Sequence, residues 1–480
     1  MIPNFKIKTA DGINKQVLKI NTKIQDQIVP VIDGYIKTEH GLQKLFKPDI
    51  GLSFSLTITE DLSDSYSGRP SVYSSCMFKI TLPDGTIKYD QFDDGSMRGY
   101  TQGGVYTFES MVPNTEVYVL AIRGARITSV TFNDISAVTL FGGVTDTNCT
   151  TITFNCDITQ KHFNETFIDN SLLLNVYING NVKSDTWIST FEDCVALQNV
   201  TVQGTCDIKA LESTFASSGM TTLPSMDLSA VDYWTNTFES SDFTDLEGFI
   251  NTIPNSAIIA GTFKDCSLTV PSNNIITLDF HNMTDAFRYA TFSSTDVTIN
   301  INNCKLIDRM FYKTNLQNVV LNAPSVIDMF STFERSSVVN ITINTLATNI
   351  SDGLMGCSSL VTATFNAPNL IIVSGLFSGC TSLTTIVDLD TSKVETFAET
   401  FKNCSSLVTL DIDMSASIYA AYMLQNCTSL ECVSNINTAN KTIKSAIVVD
   451  NCPALTAPSA ADVALINSES GLNYINPNAC

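Results

Sequence analysis

The chain has 480 residues, of which 44% are hydrophobic and 16% charged, and its formal net charge is −21. Such an acidic chain lacks the basic stripe that nucleic acid requires and is repelled by anionic membrane surfaces, so we expect neither partner. The length is typical of about two to four domains. No apolar run approaches the roughly 18 residues that cross a bilayer, so we expect no membrane insertion.

Residues 1–50 are charged differently from the rest, with eight basic and five acidic side chains. This asymmetry is typical of an attachment segment that precedes an exposed body. The first twenty residues lack the apolar centre of a secretion signal, so we expect no signal peptide. If the chain reaches the outside, we expect another route, such as release within a particle when a cell lyses.

Residues 28–48 read IVPVIDGYIKTEHGLQKLFKP. The stretch resembles a short β-hairpin of phage tail and fibre proteins, where it precedes the next module. The resemblance implies a virion protein that is held to other virion proteins through residues 1–50. A plain β-extension at the N-terminus is the alternative interpretation.

Residues 51–145 are predicted to form a small β-sandwich-like domain. Apolar and polar residues alternate in GLSFSLTITE and CMFKITL, and GVYTFESM and TEVYVLAI add two further strands. The Pro-Asp-Gly of TLPDGTIKYDQF predicts a hairpin between two of the strands. Residues 123–156 are expected to begin the next domain as an atypical cap.

A short pattern, clearest in TFKNCSSLVTLDI at residues 400–412, recurs along the rest of the chain. An apolar anchor is followed three positions later by a small residue and, in the clear copies, by a leucine three positions after that. The anchors are Phe167, Phe191, Phe215, Phe238, Phe263, Phe292, Phe311, Phe333, Leu354, Phe377, Phe401, Leu424 and Val449. Their period of about 23 residues predicts a solenoid over residues 146–460, with 461–480 as a cap or tail.

Each repeat is interpreted as a helical turn, a corner and a short strand. In SKVETFAETFKNCSSLVTLDID, Val394, Phe397 and Phe401 would lie on one face of a short helix. Leu410 and Ile412 have the alternate spacing of a strand. Since one repeat cannot bury its apolar face alone, stacking predicts an α/β repeat solenoid with a parallel sheet along one side. A small all-β module and the short attachment segment would precede it.

The position three residues after the anchor, called the slot, holds a small side chain in every repeat. The slots contain Cys194, Cys266, Cys357, Cys380, Cys404, Cys427 and Cys452, and elsewhere Asn170, Ser218, Ser241, Thr295, Thr314 and Ser336. We interpret the cysteines as packed structural thiols, with disulfides between neighbouring repeats as the alternative. A reactive thiol would need a basic or histidine neighbour, and His40, His162 and His281 lie away from the slots.

The unit xMFxxCxSLxxLxL resembles the BspA-type leucine-rich repeats, which include a mycoplasma-type repeat of unknown function. The resemblance covers residues 150–460 and is strongest over 350–455. Its structural anchors are Phe191, Cys194, Leu197, Phe377, Cys380, Leu383, Phe401, Cys404, Leu407, Leu424, Cys427 and Leu430. The family implies a right-handed solenoid that serves adhesion on cell surfaces, and viruses of bacteria can carry similar repeats. Family members usually have a secretion signal, whereas we expect none at the start of this chain.

Few residues offer chemistry, and no glycine-rich phosphate loop, nucleophile elbow or histidine metal motif is present, so we expect no cofactor. Asp388 and Asp390 recur as Asp411 and Asp413 in the next repeat, and could hold Ca²⁺ or hydrolyse a glycoside. Counted from the leucine of its own repeat, the second pair lies one residue earlier, which would put the two pairs on opposite faces. A solvated acidic strand end is therefore the preferred interpretation.

Three functions follow as hypotheses. The first is a non-enzymatic virion surface protein of a bacteriophage, a fibre or appendage that binds a glycan or protein of the host surface. The second is a cellular surface adhesin with BspA-like repeats, and the third is a glycan depolymerase that uses Asp390 or Asp413. Because fibres are commonly symmetric, we expect a homo-oligomer and favour a trimer. Trp187 and Trp234 could stack on sugars, but we expect both in the core.

Overall fold

A computed structural model describes residues 52–59, 70–74, 77–92, 97, 100, 102–110, 117–136, 138–145, 147–159, 163–434 and 449–455, together with six strands within residues 1–50. The chain falls into two compact units. The first comprises Met1–Ser184 and Asn199–Cys206, and the second comprises Asp185–Gln198 and Asp207–Cys480.

The six strands within residues 1–50 pair as three antiparallel hairpins. They are β1 Phe5–Lys8 with β2 Asn14–Val17, β3 Thr22–Ile24 with β4 Gln27–Val29, and β5 Tyr35–Thr38 with β6 Gly41–Lys44. The last hairpin lies within residues 28–48, for which the sequence predicted a short β-hairpin. The attachment role of this segment stays a prediction.

The first unit continues as an all-β module. Its strands are β7 Ser53–Ile58, β8 Ser71–Tyr73, β9 Met77–Thr81, β10 Ile87–Gln91, β11 Gly104–Ser110, β12 Val117–Arg123, β13 Ile127–Asp134, β14 Val138–Thr145, β15 Thr151–Phe154, β16 Asn175–Ile178 and β17 Asn199–Val202. One sheet has the order β10-β9-β11-β7-β13-β15-β16-β17, and a smaller sheet has the order β14-β12-β8. The sheets meet where Phe141 of β14 packs against Phe132 and Phe154, with ring centroids 5.2 and 6.3 Å away.

The hairpin predicted from the Pro-Asp-Gly motif is present. Strands β9 and β10 pair antiparallel, with Thr81 opposite Ile87. Gly85 has a φ of +84°, and its N–H donates to the carbonyl of Leu82 at 2.9 Å. A side chain with a Cβ is disfavoured at this φ, which explains the glycine at the turn.

Strand β13 combines two kinds of pairing in the larger sheet. It pairs antiparallel with β7 and parallel with β15, and β16 and β17 continue the parallel order. The aromatic core follows the same path: Phe54 stacks on Phe108, and Phe132 stacks on Phe154, each pair 4.7 Å between ring centroids. The all-β module and the first parallel strands therefore share one sheet and one core.

The second unit is built from parallel strands, one in most turns of the chain, and each turn is called a coil. Its elements are α1 Leu246–Thr252 and the strands β18 Ser267–Leu268, β19 Ile275–Leu278, β20 Thr291–Phe292, β21 Asp296–Ile301, β22 Asn318–Ala323, β23 Asn340–Thr345, β24 Thr362–Asn366, β25 Thr385–Val387, β26 Thr409–Asp411, β27 Leu424–Gln425, β28 Cys432–Ser434 and β29 Val449–Asp450. Strands β19 and β21–β25 form one parallel sheet in chain order. The parallel sheet predicted along one side of a solenoid is thereby confirmed.

The segment before each strand is a run of tight turns, where the sequence predicted a helical turn. Val394, Phe397 and Phe401 are buried as expected. The N–H groups of residues 397, 399, 401 and 403, however, donate to the carbonyls of residues 419, 421, 423 and 425 in the next coil, at 2.7–2.9 Å. Because these N–H groups bond between coils, they cannot form the i→i−4 bonds of a helix. Glu399 and Asn403 adopt φ values of 57° and 61° to allow this pattern.

The anchor phenylalanines stack from coil to coil, and one predicted anchor is wrong. From Phe191 to Phe333, the centroids of neighbouring rings are 5.1–6.2 Å apart. The stack contains Phe287 between Phe263 and Phe311, whereas Phe292 lies in β20 and packs against Phe287 at a tilt. The slot of this coil is therefore Ala290, which is buried, in place of the predicted Thr295.

Candidate binding surface

The outward face of the six-stranded sheet in the second unit is a repeated and nearly uncharged array. Strand register aligns its side chains in three columns. The first holds Asp296, Asn318, Asn340, Thr362 and Thr385, the second holds Ile275, Thr298, Val320, Thr342, Thr364 and Val387, and the third holds Thr277, Asn300, Asn322, Asn344 and Asn366. Asp296 is the one charged residue among these sixteen positions, although the chain carries a net charge of −21.

Asparagines of neighbouring coils are hydrogen-bonded into ladders along the two outer columns. In the first column, Asn318 donates to Asp296 at 2.6 Å and Asn340 donates to Asn318 at 2.7 Å. In the third column, Asn322 donates to Asn300 and Asn344 donates to Asn322, both at 2.8 Å. A carboxamide has two N–H donors and two acceptor lone pairs, so each rung keeps one N–H and one lone pair for a partner outside the sheet.

The parallel strands of the first unit carry the same kind of face. Strands β13, β15, β16 and β17, with the residue that follows each of the last three, present hydroxyl and carboxamide groups and one phenol outward, and Asp134 ends β13. The residues are Ser129, Thr131, Asn133, Thr151, Thr153, Asn155, Asn175, Tyr177, Asn179, Asn199, Thr201 and Gln203. Asn155 donates to Asn133 at 3.0 Å and Asn179 donates to Asn155 at 2.8 Å, so a ladder forms here too.

The sequence predicted a sheet but not this surface. A usable signal was present, since Asn-x-x-x-Asn occurs at Asn318 and Asn322 and again 22 residues later at Asn340 and Asn344. Four residues along a strand return to the same face. The recurrence therefore places asparagine on asparagine in neighbouring coils.

The predicted repeat anchors are brought together in the core. Phe191, Cys194, Leu197, Phe377, Cys380, Leu383, Phe401, Cys404, Leu407, Leu424, Cys427 and Leu430 are each at most 1% exposed. The slot thiols donate to the carbonyl of the anchor one coil earlier, as Cys404 does to Phe377 at 3.2 Å. Serine in the slot donates instead to the anchor of its own coil, as Ser336 does to Phe333 at 2.7 Å. These residues hold coils together and are inaccessible to a ligand.

The slot thiols have the properties of structural residues. None of the seven slot cysteines forms a disulfide, whereas Cys432, outside the slots, is disulfide-bonded. Burial raises the pKa of Cys357 to about 11 and that of Cys404 to about 12. A thiol with so high a pKa is almost entirely protonated at neutral pH, and the thiol is far less nucleophilic than the thiolate. The alternative prediction, disulfides between neighbouring slots, is not observed in the described coils.

The structure brings three of the four candidate aspartates together. Asp390, Asp411 and Asp413 line an open recess of about 350 Å³, together with Leu389, Thr391, Ser392 and Ile412. Asp388 is absent from this lining, and its backbone φ is +56°. Within the described residues, no three His, Cys, Asp or Glu side chains are grouped closely enough to hold a metal ion.

The carboxylates of the recess are engaged in local turns. Asp390 accepts hydrogen bonds from the N–H and hydroxyl of Ser392, at 3.0 and 2.6 Å, and these bonds lower the pKa of Asp390. Asp413 accepts from the N–H of Ser415 at 2.8 Å. A general acid in glycoside hydrolysis needs a raised pKa. The carboxylate of Asp390 is shifted in the opposite direction, which favours a solvated acidic turn.

A cluster of charged and aromatic side chains lies in the turns of two neighbouring coils. The guanidinium of Arg288 is 5.0 Å from the ring centroid of Tyr289 and 5.1 Å from that of Tyr312. Arg309 pairs with Asp285 through two bonds of 3.0 and 2.8 Å. These contacts join successive coils, so we interpret the cluster as one that stabilises the stacking of the coils.

Both tryptophans are fully buried. Trp187 packs against Phe191 with ring centroids 5.9 Å apart, and Trp234 packs against Phe249 at 5.1 Å. Each has a relative exposure of 0%. Neither ring is available for stacking on a sugar.

The coils, the buried anchors and the parallel sheets define a solenoid of the leucine-rich-repeat class. Residues 281–398 and 353–468 match the family described as BspA type Leucine rich repeat region, with six copies. No curated protein matches the chain. Among the described residues, no helix has the length and apolar character needed to cross a membrane.

Two solved structures are similar to the chain. One is a leucine-rich repeat protein from Eubacterium ventriosum, which is 16% identical, covers 72% of this chain and 93% of its own, and has a TM-score of 0.34. The other is a leucine rich cell surface protein from Faecalibacterium prausnitzii, which is 14% identical, covers 84% of this chain and 98% of its own, and has a TM-score of 0.32.

Proposed function

We propose that the protein is a non-enzymatic binding protein that adheres to a cell surface through the outward faces of its parallel sheets. The observation that carries this proposal is the array of aligned polar side chains in β19 and β21–β25, repeated once per coil. A repeated array makes many equivalent weak contacts, and their sum is strong when the partner is itself repetitive. Cell-surface polymers and dense layers of surface protein have this property.

We further propose that the particle bearing the protein is a bacteriophage virion. Residues 1–50 would hold the chain to other virion proteins, and the solenoid would face the host bacterium. The proposal is supported by the resemblance of residues 28–48 to fibre proteins and by the excess of basic over acidic residues in residues 1–50. A homo-oligomer, with a trimer favoured, would multiply the number of faces that meet the host.

A cellular surface adhesin is the second candidate. It is favoured by the match of residues 281–468 to BspA-type repeats. This function requires a route to the cell surface and predicts the protein on cells, whereas the virion proposal predicts it on particles.

Immunogold electron microscopy with an antibody against residues 150–480 separates the two candidates. Gold at a defined site on purified phage particles supports the virion, and the site shows whether head or tail carries the protein. Gold on cell surfaces with unlabelled particles overturns the virion proposal in favour of the adhesin. Adhesion is tested directly by binding of the labelled full chain to a panel of bacterial cells. If the chain binds none of these cells, the proposal of adhesion is overturned.

A further inference from the structure

We propose that the outward face of the sheet formed by β19 and β21–β25 binds an uncharged polysaccharide whose chain lies across the strands. The inference rests on the proposed function, because it names the partner of the same surface. It is carried by four properties of that face: its charge, its residue types, its free hydrogen-bonding groups and its spacing.

The face is almost uncharged, although the chain as a whole is acidic. The central column, which runs from Ile275 to Val387, contains no charged residue. The ladders do not explain this neutrality, since the threonines and valines of the central column take no part in them. An anionic polymer would be repelled by a chain of net charge −21, and an electrostatic match to a cationic one would need carboxylates on the face. An uncharged polymer is not repelled by the net charge of the chain and needs no carboxylates on the face.

The residue types favour a glycan over a protein partner. The centres of protein interfaces are enriched in Tyr, Trp, Phe, Met and Arg, which supply most of the binding energy. None of these occurs among the sixteen positions of the face. The residues present are threonine and asparagine with a few β-branched apolar side chains, such as Val320. This composition suits a partner that is bound by many hydrogen bonds over a broad, flat contact.

The free hydrogen-bonding groups complement sugar hydroxyls. Each ladder asparagine, such as Asn322, retains one N–H and one lone pair, and each threonine hydroxyl both donates and accepts. Sugar hydroxyls also donate and accept, so every group of the face can be matched without leaving a buried group unpaired. A partner without such groups would leave these donors and acceptors desolvated and unbonded, which is costly.

The spacing of the array suits a chain that crosses the strands. Neighbouring strands lie about 4.8 Å apart, so Thr298, Thr342 and Thr364 recur at multiples of that distance along the central column. Successive rings of an extended polysaccharide repeat at a similar length. Each sugar would therefore meet one rung of the array, with Thr342 near the middle.

The test compares lysine substitutions on and off the face. Thr342→Lys and Thr364→Lys each place a long charged side chain over the array. Ser378→Lys introduces the same charge on a partly exposed turn outside the sheet and serves as the matched control. Circular dichroism and thermal melting establish that each full-length variant is folded. Two independent positions on the face keep the test valid if one substitution disturbs its strand.

Retention is measured by native electrophoresis through gels that contain polysaccharide. The neutral probes are hydroxyethylcellulose, mannan and galactan, and the acidic probes are alginate and hyaluronan. We expect at least one neutral probe to retain the wild-type protein and Ser378→Lys. We expect retention of both face variants to be about tenfold weaker, which corresponds to about 1.4 kcal/mol of binding free energy. Retention by acidic probes alone, by no probe, or to an equal extent in all variants overturns the inference.

Treated cells separate failure of this inference from failure of the proposed function. Periodate cleaves the vicinal diols of glycans, and protease removes surface proteins. Binding to bacterial cells that is lost after periodate and kept after protease supports a glycan. Binding that survives periodate and is lost after protease overturns the glycan while adhesion stands, and absence of binding to untreated cells overturns both.

Discussion

Asn344 donates a side-chain N–H to the amide oxygen of Asn322 at 2.8 Å, and the two residues occupy equivalent positions in neighbouring coils. A carboxamide can stack in this way because it carries both donor and acceptor groups. A carboxylate is only an acceptor when ionised, so it fits the end of a ladder. Asp296 does occupy the first rung of its column, where it accepts from Asn318. The ladder thus accounts for the asparagines of the two outer columns.

The ladder predicts a measurable contribution to stability. Asn322 both donates to Asn300 and accepts from Asn344, so Asn322→Ala removes two hydrogen bonds at a partly exposed site. We expect a decrease of about 1 kcal/mol in the free energy of unfolding, measured by urea denaturation. Asn366→Ala is the control, because Asn366 lies in the same column and makes no side-chain bond to Asn344 in the structure. An equal loss in both variants would refute the role of the ladder.

The slot thiols give a prediction about pH. Burial raises the pKa of Cys404 from 9.0 to about 12, so the folded chain keeps this proton where the unfolded chain loses it. A group with a raised pKa in the folded state contributes stability that is present below the unfolded pKa and is lost as pH rises towards the folded value. We therefore expect the melting temperature to decrease between about pH 9 and pH 12, and less so in Cys404→Ser.

Thiol labelling checks the same burial at a single pH. At pH 8 an alkylating reagent should leave Cys404 and Cys357 unmodified in the folded protein, because the thiol is protonated and fully buried. After denaturation in urea, the same peptides should be labelled, as read by mass spectrometry. Labelling of Cys404 at the same rate before and after denaturation would show that the slot is open to solvent.

The repeat could be predicted from the sequence because its anchors have one fixed role. Phe401, Cys404 and Leu407 face a core that is built once per coil, and their spacing is preserved wherever that core is preserved. The error at Phe292 arose because this residue is followed by small residues, as the anchors are. Only the stack shows that Phe287 holds the anchor position, since both rings are buried.

The helical turn could not be rejected from sequence alone. The spacing of Val394, Phe397 and Phe401 suits one face of a helix, and all three are buried. The deciding factor is where the backbone N–H groups bond, and here the next coil accepts them. A pattern of side chains within one repeat contains no information about hydrogen bonds between repeats. The outward face was missed for a related reason, because its columns exist only across coils.

The corrected anchor predicts a large effect of one substitution. Phe287 lies between Phe263 and Phe311, with ring centroids 5.4 and 5.5 Å away. Phe287→Ala leaves a cavity in the stack, and we expect a loss of about 3–5 kcal/mol of stability. Phe330 is 39% exposed, so Phe330→Ala is the matched control and should change stability far less. Similar losses in the two variants would show that the stack is assigned incorrectly.

The acidic recess provides the last prediction, which separates a solvated turn from a calcium site. Asp390 and Asp413 share one recess, but each accepts hydrogen bonds from its own turn, and no group of three potential ligands occurs among the described residues. Ca²⁺ takes six to eight oxygen ligands and stabilises a protein that binds it in the folded state only. We therefore expect millimolar CaCl₂ to leave the melting temperature of the wild-type protein unchanged relative to the same concentration of MgCl₂. A rise with Ca²⁺ alone that disappears in both Asp390→Asn and Asp413→Asn would establish a metal site and contradict this interpretation. We also expect no release of sugar from polysaccharides by the wild-type protein, and release that is lost in the same variants would instead establish the recess as catalytic.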